Sequence, residues 1–248
     1  MERVKNSPRF IDTPPERLVY DELTRCPYLS GQTARLPMRL PSRRLTPEEL
    51  SRRLHGGDRR EGVLLYRPRC PTCCACEPLR IDVAEFIPST TQRRVLRRGD
   101  KILQTRVGRP TVSLDRVVLY NRHKVGRGLL FGNDLIDANG YVQFLVESCV
   151  DSIEITYRLK GKLVGVAVAD RASDALSAVY CYYDPRYSRF SPGAYSILKQ
   201  IELCRRWGLR YLYLGLFVAG SRTMEYKSLY LPHERLIGGA WRRFEREE

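Results

Sequence analysis

Long hydrophobic runs are missing from this 248-residue chain. One of the longest, LYLGLFVAG at 212–220, is far shorter than the roughly 20 apolar residues that cross a bilayer. The first residues likewise lack the apolar segment that a signal peptide requires. These features predict a cytoplasmic protein. In that reducing compartment, clustered cysteines more often bind metal or react than form disulfides.

Histidine is also scarce, because the sequence has only His55, His123 and His233. None of the three lies in the H-E-x-x-H pattern of zinc peptidases or belongs to a nucleophile-elbow motif. Glycine-rich phosphate loops of the P-loop and dinucleotide types are absent from the sequence too. The sequence therefore argues against metallopeptidases, serine hydrolases, P-loop nucleotidases and dinucleotide-dependent enzymes.

Positive charge, in contrast, is abundant, and the formal net charge is +15. Much of it is arginine in doublets at 43–44, 52–53 and 59–60, and in QRRVLRR at 92–98. Guanidinium groups match phosphate oxygens bidentately, and each phosphate contact releases counterions. A solvated basic surface would explain any single doublet. The set as a whole favours a nucleic-acid partner.

The composition of the chain changes near residue 108. Residues 1–108 are rich in Pro, Arg and Cys, and the segment TPEELSRRLHGG at 46–57 predicts a short helix. In this helix Thr46 is the expected N-cap and Pro47 the first helical residue. We expect a smaller Cys/Arg-rich N-terminal domain over 1–108 and a second domain over 109–248.

The sequence of the second domain predicts an α+β order of elements. A helix at 137–149 precedes three antiparallel strands within 153–185, a helix capped by Ser191 follows, and a strand covers 210–218. This order is similar to the catalytic core of the GCN5-related N-acetyltransferases. In that fold, glycines in the turn before the helix bind the pyrophosphate of coenzyme A at the helix N-terminus.

The corresponding turn here, DPRYSRFSPGAYS at 184–196, contains a single glycine, Gly193. The missing glycine loop argues against acetyl-coenzyme A as the acyl donor. A basic protein with an acyltransferase-like core and no coenzyme loop favours a different activated acyl donor. An aminoacyl-tRNA is such a donor, and no organic cofactor is expected.

Three colinear stretches carry a family resemblance: CPYLSGQTARL at 26–36, the segment from YRPRC to VLRR at 66–98, and the segment from LSAVYCYYDP to ERLIGG at 176–239. They resemble the arginyl-tRNA–protein transferase superfamily, and most closely its bacterial aspartate/glutamate leucyltransferase branch. The resemblance implies transfer of an amino acid from charged tRNA to the N-terminal amine of a protein, which marks that protein for degradation.

In that branch the donor is typically leucyl-tRNA and the acceptor begins with Asp or Glu. Two alternatives stay open at the level of sequence. One is an arginyl donor with the same acceptors, and the other is a non-catalytic nucleic-acid-binding protein built on a cysteine knuckle.

The expected reaction needs positioning of an amine beside an ester and a nearby carboxylate to accept a proton. Asp170 ends the strand VGVAVAD, and Asp184 follows the next strand in YYDP, so both are catalytic candidates. A turn or capping role is the structural alternative for each. Tyr183 is the third catalytic candidate. Tyr180 and Tyr182 lie on the opposite face of the strand from Tyr183 and are predicted to bind substrate. The sequence leaves open which of the two strand faces lines the donor cleft.

Basic side chains are predicted to hold both substrates. An acidic acceptor residue needs a cation, and SRTMEYKS at 221–228 supplies Arg222 and Lys227, with Tyr226 in a Met-x-Tyr-Lys pattern that resembles the family's. A surface role is the alternative for each cation. The acceptor stem of tRNA is predicted to bind through four arginines of QRRVLRR by shape and phosphate contacts. They are Arg93, Arg94, Arg97 and Arg98.

Four of the eight cysteines fall within CPTCCAC at 70–76. Thiolates in this number suit zinc or an iron–sulfur cluster, but such tight spacing rarely lets four neighbours reach one metal. Cys26 could complete a set from a distance, so the predicted ligands are Cys26, Cys70, Cys73 and Cys76. Reduced thiols without metal are the alternative. Leu29 occupies the second position of a C-x-x-C pair that related eukaryotic transferases carry, so one implied ligand is missing.

Overall fold

An eight-stranded sheet organises the protein in a computed structural model, which describes residues 14–130 and 135–246. The strands are β1 (Glu16–Tyr20), β2 (Leu23–Arg25), β3 (Thr33–Arg35), β4 (Met38–Pro41), β5 (Arg59–Glu61), β6 (Leu64–Tyr66), β7 (Glu77–Asp82), β8 (Leu103–Gly108), β9 (Ser152–Leu159), β10 (Lys162–Arg171), β11 (Ala175–Tyr183), β12 (Tyr211–Phe217), β13 (His233–Ile237) and β14 (Ala240–Phe244). The helices are α1 (Pro47–His55), α2 (Thr90–Ile102), α3 (Leu114–Gly126), α4 (Ala138–Tyr141) and α5 (Pro192–Arg206). A π-helical turn at Val142–Val146 continues α4, and two 3-10 helices cover Pro185–Phe190 and Glu225–Leu229.

The strand order of the large sheet is β14-β13-β7-β12-β11-β10-β9-β8. All neighbouring pairs are antiparallel except β11 and β12, which run parallel. A smaller sheet has the order β1-β4-β6-β5, and β2 pairs with β3. The boundary expected at residue 108 falls inside one continuous sheet, because β7 and β8 pair with strands that follow it in sequence. The architecture is mixed α/β with a large sheet.

Most of the predicted elements form as expected. Thr46 caps α1 with its side chain, and the Glu49 carboxylate accepts a bond from the Thr46 N–H, which completes a capping box. The three antiparallel strands β9, β10 and β11 are confirmed. The prediction for Ser191 is wrong, since this residue is left-handed at φ 54° and makes no side-chain cap bond.

Helices on both faces of the sheet build the core. On one face, α2 and α5 pack against β7 and β9–β12, with Leu79, Ile81, Leu198 and Ile201 at most 2% exposed. On the other face lie α1 and α3, together with α4. Of the three cysteines that follow residue 108, Cys149 and Cys204 are buried and Cys181 is partly buried. No helix in the described ranges is long and apolar enough to cross a membrane.

Candidate functional site

The parallel pair β11 and β12 opens into a split. The two strands pair only where Ala175–Ser177 of β11 lies beside Tyr211–Tyr213 of β12. Beyond this point β11 carries a bulge, because Ala178 and Tyr180 pair with consecutive residues of β10 and leave Val179 without a partner there. β12 is irregular at Gly215, where φ is 81°. Bulges bend strands and often lie beside functional sites, so the split is the first place to look for chemistry.

A buried arginine bridges the split. Arg59 of β5 donates from Nη1 to Ser177 Oγ at 2.8 Å and from Nη2 to the Ala178 carbonyl at 2.8 Å. A Cβ on residue 215 would lie 3.1 Å from the same Nη2, so glycine gives the guanidinium its room. The sequence grouped Arg59 and Arg60 with exposed phosphate-binding doublets. That assignment is wrong for this pair, because both residues are buried.

Lys227 enters the same region from the 3-10 helix Glu225–Leu229. Its side chain is buried, and Nζ donates to the Leu216 carbonyl of β12 and lies 3.1 Å from Met224 Sδ. Burial, helped by the positive charge of Arg59, lowers the pKa of Lys227 from 10.5 to about 7, while Cys76 acts in the opposite direction. Within residues 14–130 and 135–246, neither Lys227 nor Arg59 forms an ion pair.

Two tyrosines stand near these cations. Tyr226 precedes Lys227 and is half exposed, and its electrostatic neighbours are Cys181 and Tyr183. The Tyr183 N–H donates to His123 Nδ1 at 3.1 Å, and the two rings meet edge to face at 4.7 Å. The predicted residues Tyr183, Tyr226 and Lys227 are therefore brought together at one side of β11.

Tyr180 and Tyr182 face the other way. The Tyr182 hydroxyl shares a 2.5 Å hydrogen bond with the Tyr141 hydroxyl and is shielded from solvent. The Tyr180 ring lies 5.6 Å from that of Tyr120 and 5.5 Å from that of Phe144. This packing answers the open question about the two strand faces. Tyr182 lies in the core beneath α3, and Tyr180 is partly buried and packs against that core. The packing favours a structural role for both, and substrate binding by these two residues stays a prediction.

The two candidate carboxylates are fully engaged by arginines. Asp170 receives bonds from Arg60 Nε at 2.7 Å and Nη2 at 2.8 Å, and another from the Ser152 hydroxyl at 2.7 Å. Asp184 accepts from Arg122 and Arg186 and caps the 3-10 helix Pro185–Phe190. The hydrogen bond from Arg186 lowers the pKa of Asp184 to about 2. This geometry favours the structural alternative for both residues, and a role as general base stays a prediction.

The predicted cysteine ligands share one neighbourhood beside the split. Burial raises the pKa of Cys76 to about 12, and the nearby Cys70, Cys26 and Cys73 add to the rise. The Cys26 sulfur also accepts the Tyr28 and Leu29 N–H groups at 3.5 and 3.4 Å. Even so, no group of three or more Cys, His, Asp or Glu in the part of the chain that the structure describes is arranged to hold a metal ion. The metal site stays a prediction.

An apolar cavity lies at the end of β11 where α5 begins. It is partly open to solvent and its lining is wholly apolar, and its volume is about 20 Å³, close to the space that one water molecule needs. Gly165 forms part of the wall and lies under Tyr183, since a Cβ there would be 3.5 Å from Tyr183 Cβ. The lining residues are Ile102, Leu103, Tyr157, Leu159, Val164, Gly165, Tyr187, Phe190, Pro192 and Tyr195.

A basic rim, the exposed arginine-bearing face of α2 together with Arg189, leads to one side of this cavity. The predicted tRNA-binding residues are all exposed on the outer side of α2: Arg93, Arg94, Arg97 and Arg98. Arg98 Nη2 donates to the Arg189 carbonyl at 2.8 Å, and its guanidinium lies 5.4 Å from the Phe190 ring centroid. The end of α2 and the 3-10 helix Pro185–Phe190 therefore contribute both to the cavity wall and to the rim. Arg222 is exposed and makes no contact that supports a role at the split.

Sequence comparisons identify the family. The family described as "Arginine-tRNA-protein transferase, C terminus" matches residues 115–237, and its N-terminal counterpart matches residues 24–94. A protein called "Aspartate/glutamate leucyltransferase" from Chromobacterium violaceum is 40% identical over 87% of this chain and 89% of its own length. A protein of the same name from Thiobacillus denitrificans is 39% identical over 89% of this chain and 91% of its own length.

The chain therefore belongs to the arginine-tRNA-protein transferase family. It is an aminoacyl-tRNA–protein transferase, with an aminoacyl-tRNA as donor and a protein as acceptor.

Solved structures are more distant. FemX is 10% identical, with a TM-score of 0.47 over 73% of this chain and 64% of that chain. The ribosomal-protein-S18-alanine N-acetyltransferase from Escherichia coli is 13% identical, with a TM-score of 0.37 over 51% of this chain and 76% of that chain. No argument about the site is drawn from either similarity.

Proposed function

We propose that this transferase moves leucine from leucyl-tRNA to the N-terminal amine of proteins that begin with Asp or Glu, and so marks them for degradation. The names of relatives that are 37–40% identical over most of the chain support this substrate pair. The core then acts as an acyltransferase of the GCN5-related N-acetyltransferase type in the cytoplasm, where charged tRNA is found. The split between β11 and β12 is the opening in which amine and ester meet.

The apolar cavity beside Tyr183 is the observation that carries the choice of donor. Each methylene buried in such a lining contributes about 0.8 kcal/mol, so a leucyl side chain would be stabilised there once the walls move apart to admit it. An arginyl side chain would place its guanidinium among Ile102, Val164 and Phe190 with no acidic partner in the lining. Burying an unpaired charge is strongly unfavourable. The cavity therefore favours leucine over arginine.

The basic rim supports the orientation of the donor. Arg94 and Arg97 lie on the exposed face of α2, whose last residue, Ile102, lines the cavity. A tRNA acceptor stem held on this face through its phosphates would direct its charged 3′ end toward the cavity. Such contacts read shape and charge rather than base sequence.

The chemistry then depends on positioning. The acceptor ammonium first releases one proton to solvent. The neutral nitrogen then forms a bond to the leucyl carbonyl carbon and the ester bond to the ribose oxygen breaks, while the second proton lost by the nitrogen is taken up by that ribose oxygen. An N-terminal amine has a pKa near 8, so a useful fraction is neutral at pH 7. With Asp170 and Asp184 both held by arginines, holding the two substrates together is the main contribution of the protein.

A transfer assay tests the proposal directly. Purified protein is incubated with a mixed pool of aminoacyl-tRNAs and peptides that begin with Asp, Glu, Arg or Ala, and the peptides are weighed by mass spectrometry. We expect a gain of one leucine on the Asp and Glu peptides alone. A gain of arginine would overturn the donor assignment, and binding of tRNA without any transfer would favour the nucleic-acid-binding alternative.

A cavity variant tests the donor pocket. Val164→Phe fills the cavity and is expected to lower kcat/KM for leucyl-tRNA, whereas Val164→Ile is the conservative control. Equal kcat/KM values for both variants and the wild type would place the leucyl side chain elsewhere.

A further inference from the structure

Four basic side chains are buried in the part of the chain that the structure describes, and only two of them have carboxylate partners. Arg60 binds Asp170, and Arg80 binds Glu234 with Nε 2.6 Å from Oε2. The other two, Arg59 and Lys227, form no ion pair there, although Arg59 is 8% and Lys227 5% exposed. A buried cation is costly unless an anion compensates it.

The two unpaired cations come from different elements and meet at the same split. Arg59 is fixed to the β11 side by its bonds to Ser177 and Ala178, and Lys227 is fixed to the β12 side by its bond to the Leu216 carbonyl. The two cations reach consecutive residues of β12, because a Cβ on Gly215 would lie 3.1 Å from Arg59 Nη2 and Lys227 Nζ donates to the Leu216 carbonyl. Like charges brought together in this way define a place for an anion.

We propose that Arg59 and Lys227 form the subsite for the side-chain carboxylate of the acceptor's first residue, and that this pair restricts the acceptor to Asp and Glu. The inference rests on the proposed function, in which the acceptor begins with an acidic residue. It adds Arg59, which sequence analysis missed, to Lys227, which was predicted to bind substrate. Arg222 has no part in this subsite.

The donor inventory of the pair suits a carboxylate. A guanidinium has five N–H donors and an ammonium has three, and the bonds to Ser177, Ala178, Leu216 and Met224 use only part of them. Hydrogen bonds between charged groups are shorter and stronger than neutral ones. A carboxylate between the two cations would also favour the charged form of Lys227.

The location fits the reaction as well. The side-chain carboxylate and the α-amine belong to the same acceptor residue. If the carboxylate is bound at the base of the split, the α-amine lies only a few covalent bonds from that point. Tyr226, the residue before Lys227, has Tyr183 as a neighbour, and Tyr183 lies over Gly165 in the wall of the apolar cavity. The acceptor subsite and the proposed leucyl pocket are thus linked along one side of β11.

The experiment compares acidic peptides with their amide counterparts. With saturating leucyl-tRNA, kcat/KM is measured for peptides that begin with Asp or Asn, and with Glu or Gln, for the wild type and for Lys227→Met and Arg59→Gln. Hydrogen bonds to charged groups contribute about 1.5 to 3 kcal/mol, so each variant should reduce the Asp/Asn and Glu/Gln ratios by roughly tenfold to a hundredfold. Transfer to the amide peptides should change much less.

Controls separate the possible failures. Lys227→Met keeps the length and apolar stem of the side chain and removes a buried charge, so it is expected to fold even if Arg59→Gln does not. Arg17→Gln, on the exposed face of β1 at the opposite edge of the small sheet from Arg59, is the matched surface control. Unchanged ratios in a folded Lys227→Met variant would overturn this inference alone. Failure of the wild type to transfer leucine to any acidic peptide would overturn the proposed function.

Discussion

Arg60 and Asp170 form a bidentate ion pair, in which Arg60 Nε and Nη2 lie 2.7 and 2.8 Å from the two carboxylate oxygens. This pair ties β5 to β10 in the interior of the protein. Its neighbour Arg59 points to the opposite face of the strand and reaches the split between β11 and β12. Two consecutive arginines of identical chemistry therefore have different surroundings: Arg60 is neutralised by Asp170, and Arg59 is buried beside the split without an ion pair among residues 14–130 and 135–246.

The Asp170→Asn variant should lose stability rather than chemistry. Removing the carboxylate leaves Arg60 buried without a counter-ion, which costs about 3 to 5 kcal/mol in the free energy of unfolding. Denaturant unfolding measures that loss, and kcat per folded molecule should stay near the wild-type value. An apolar double variant, Arg60→Met with Asp170→Leu, should recover most of the lost stability. A large loss of kcat in a variant of normal stability would restore Asp170 as a catalytic base.

Asp184 should contribute stability that depends on pH in a defined direction. Its pKa is lowered from 3.8 to about 2, mainly by the hydrogen bond from Arg186, so the folded protein favours the ionised form. The contribution is complete above pH 4 and is lost as the pH falls toward 2. Asp184→Asn should therefore reduce the free energy of unfolding by about 1.5 to 3 kcal/mol at pH 6. The difference from wild type should shrink between pH 4 and 2, and a constant difference across that range would contradict this assignment.

Local patterns predicted the fold better than they predicted the site. The capping box at Thr46 and the three strands β9 to β11 depend on contacts close in sequence, so both could be predicted from the sequence alone. Helix α2 was missed although Ser89 and Gln92 form the same kind of capping box, so that signal was available. No comparable signal marked Arg59. Its burial is produced by Ser177, Ala178 and Gly215, which are more than a hundred residues away in the chain.

The sequence left the roles of the two carboxylates open for a related physical reason. A strand-end or turn Asp looks the same in sequence whether it faces a substrate or an arginine. Only the fold brings Arg60 to Asp170 and Arg122 to Asp184. The tyrosine faces were undecided because the bulge at Val179 shifts the alternation within β11, and a one-residue shift exchanges the two faces.

Donor tRNA should bind through α2 with a measurable salt dependence. Arg94→Gln with Arg97→Gln removes two exposed guanidinium groups from the rim, while Arg98 is left in place because it bonds the Arg189 carbonyl. The slope of log affinity against log salt should decrease by about 0.7 to 0.9 for each phosphate that the variant no longer neutralises. Binding of leucyl-tRNA at several salt concentrations gives the slope, with Arg17→Gln as control. An unchanged slope would remove α2 from the tRNA site.

The last prediction concerns the clustered cysteines. We expect anaerobically purified protein to carry zinc or an iron–sulfur cluster bound by Cys26, Cys70, Cys73 and Cys76. Burial raises the pKa of Cys76, and the nearby Cys70, Cys26 and Cys73 add to the rise because negative charges on these thiols would repel one another. A bound cation reverses this effect by stabilising thiolates, so a metal would turn an unfavourable cluster into a favourable one. Elemental analysis and visible absorption of the purified protein measure the metal and its type.

Ligand variants distinguish this site from adventitious binding. Cys26→Ser and Cys76→Ser should each lose the metal, whereas Cys204→Ala, which alters a buried thiol on α5, should retain it. Because Cys74 is the exposed member of the group, Cys74→Ser is expected to retain the metal as well. Protein that contains no metal, and whose four thiols all react with a thiol reagent, would favour the alternative of reduced thiols. In that case the cluster would act on the split only through the electrostatic effect of Cys76 on Lys227, which raises the pKa of the lysine.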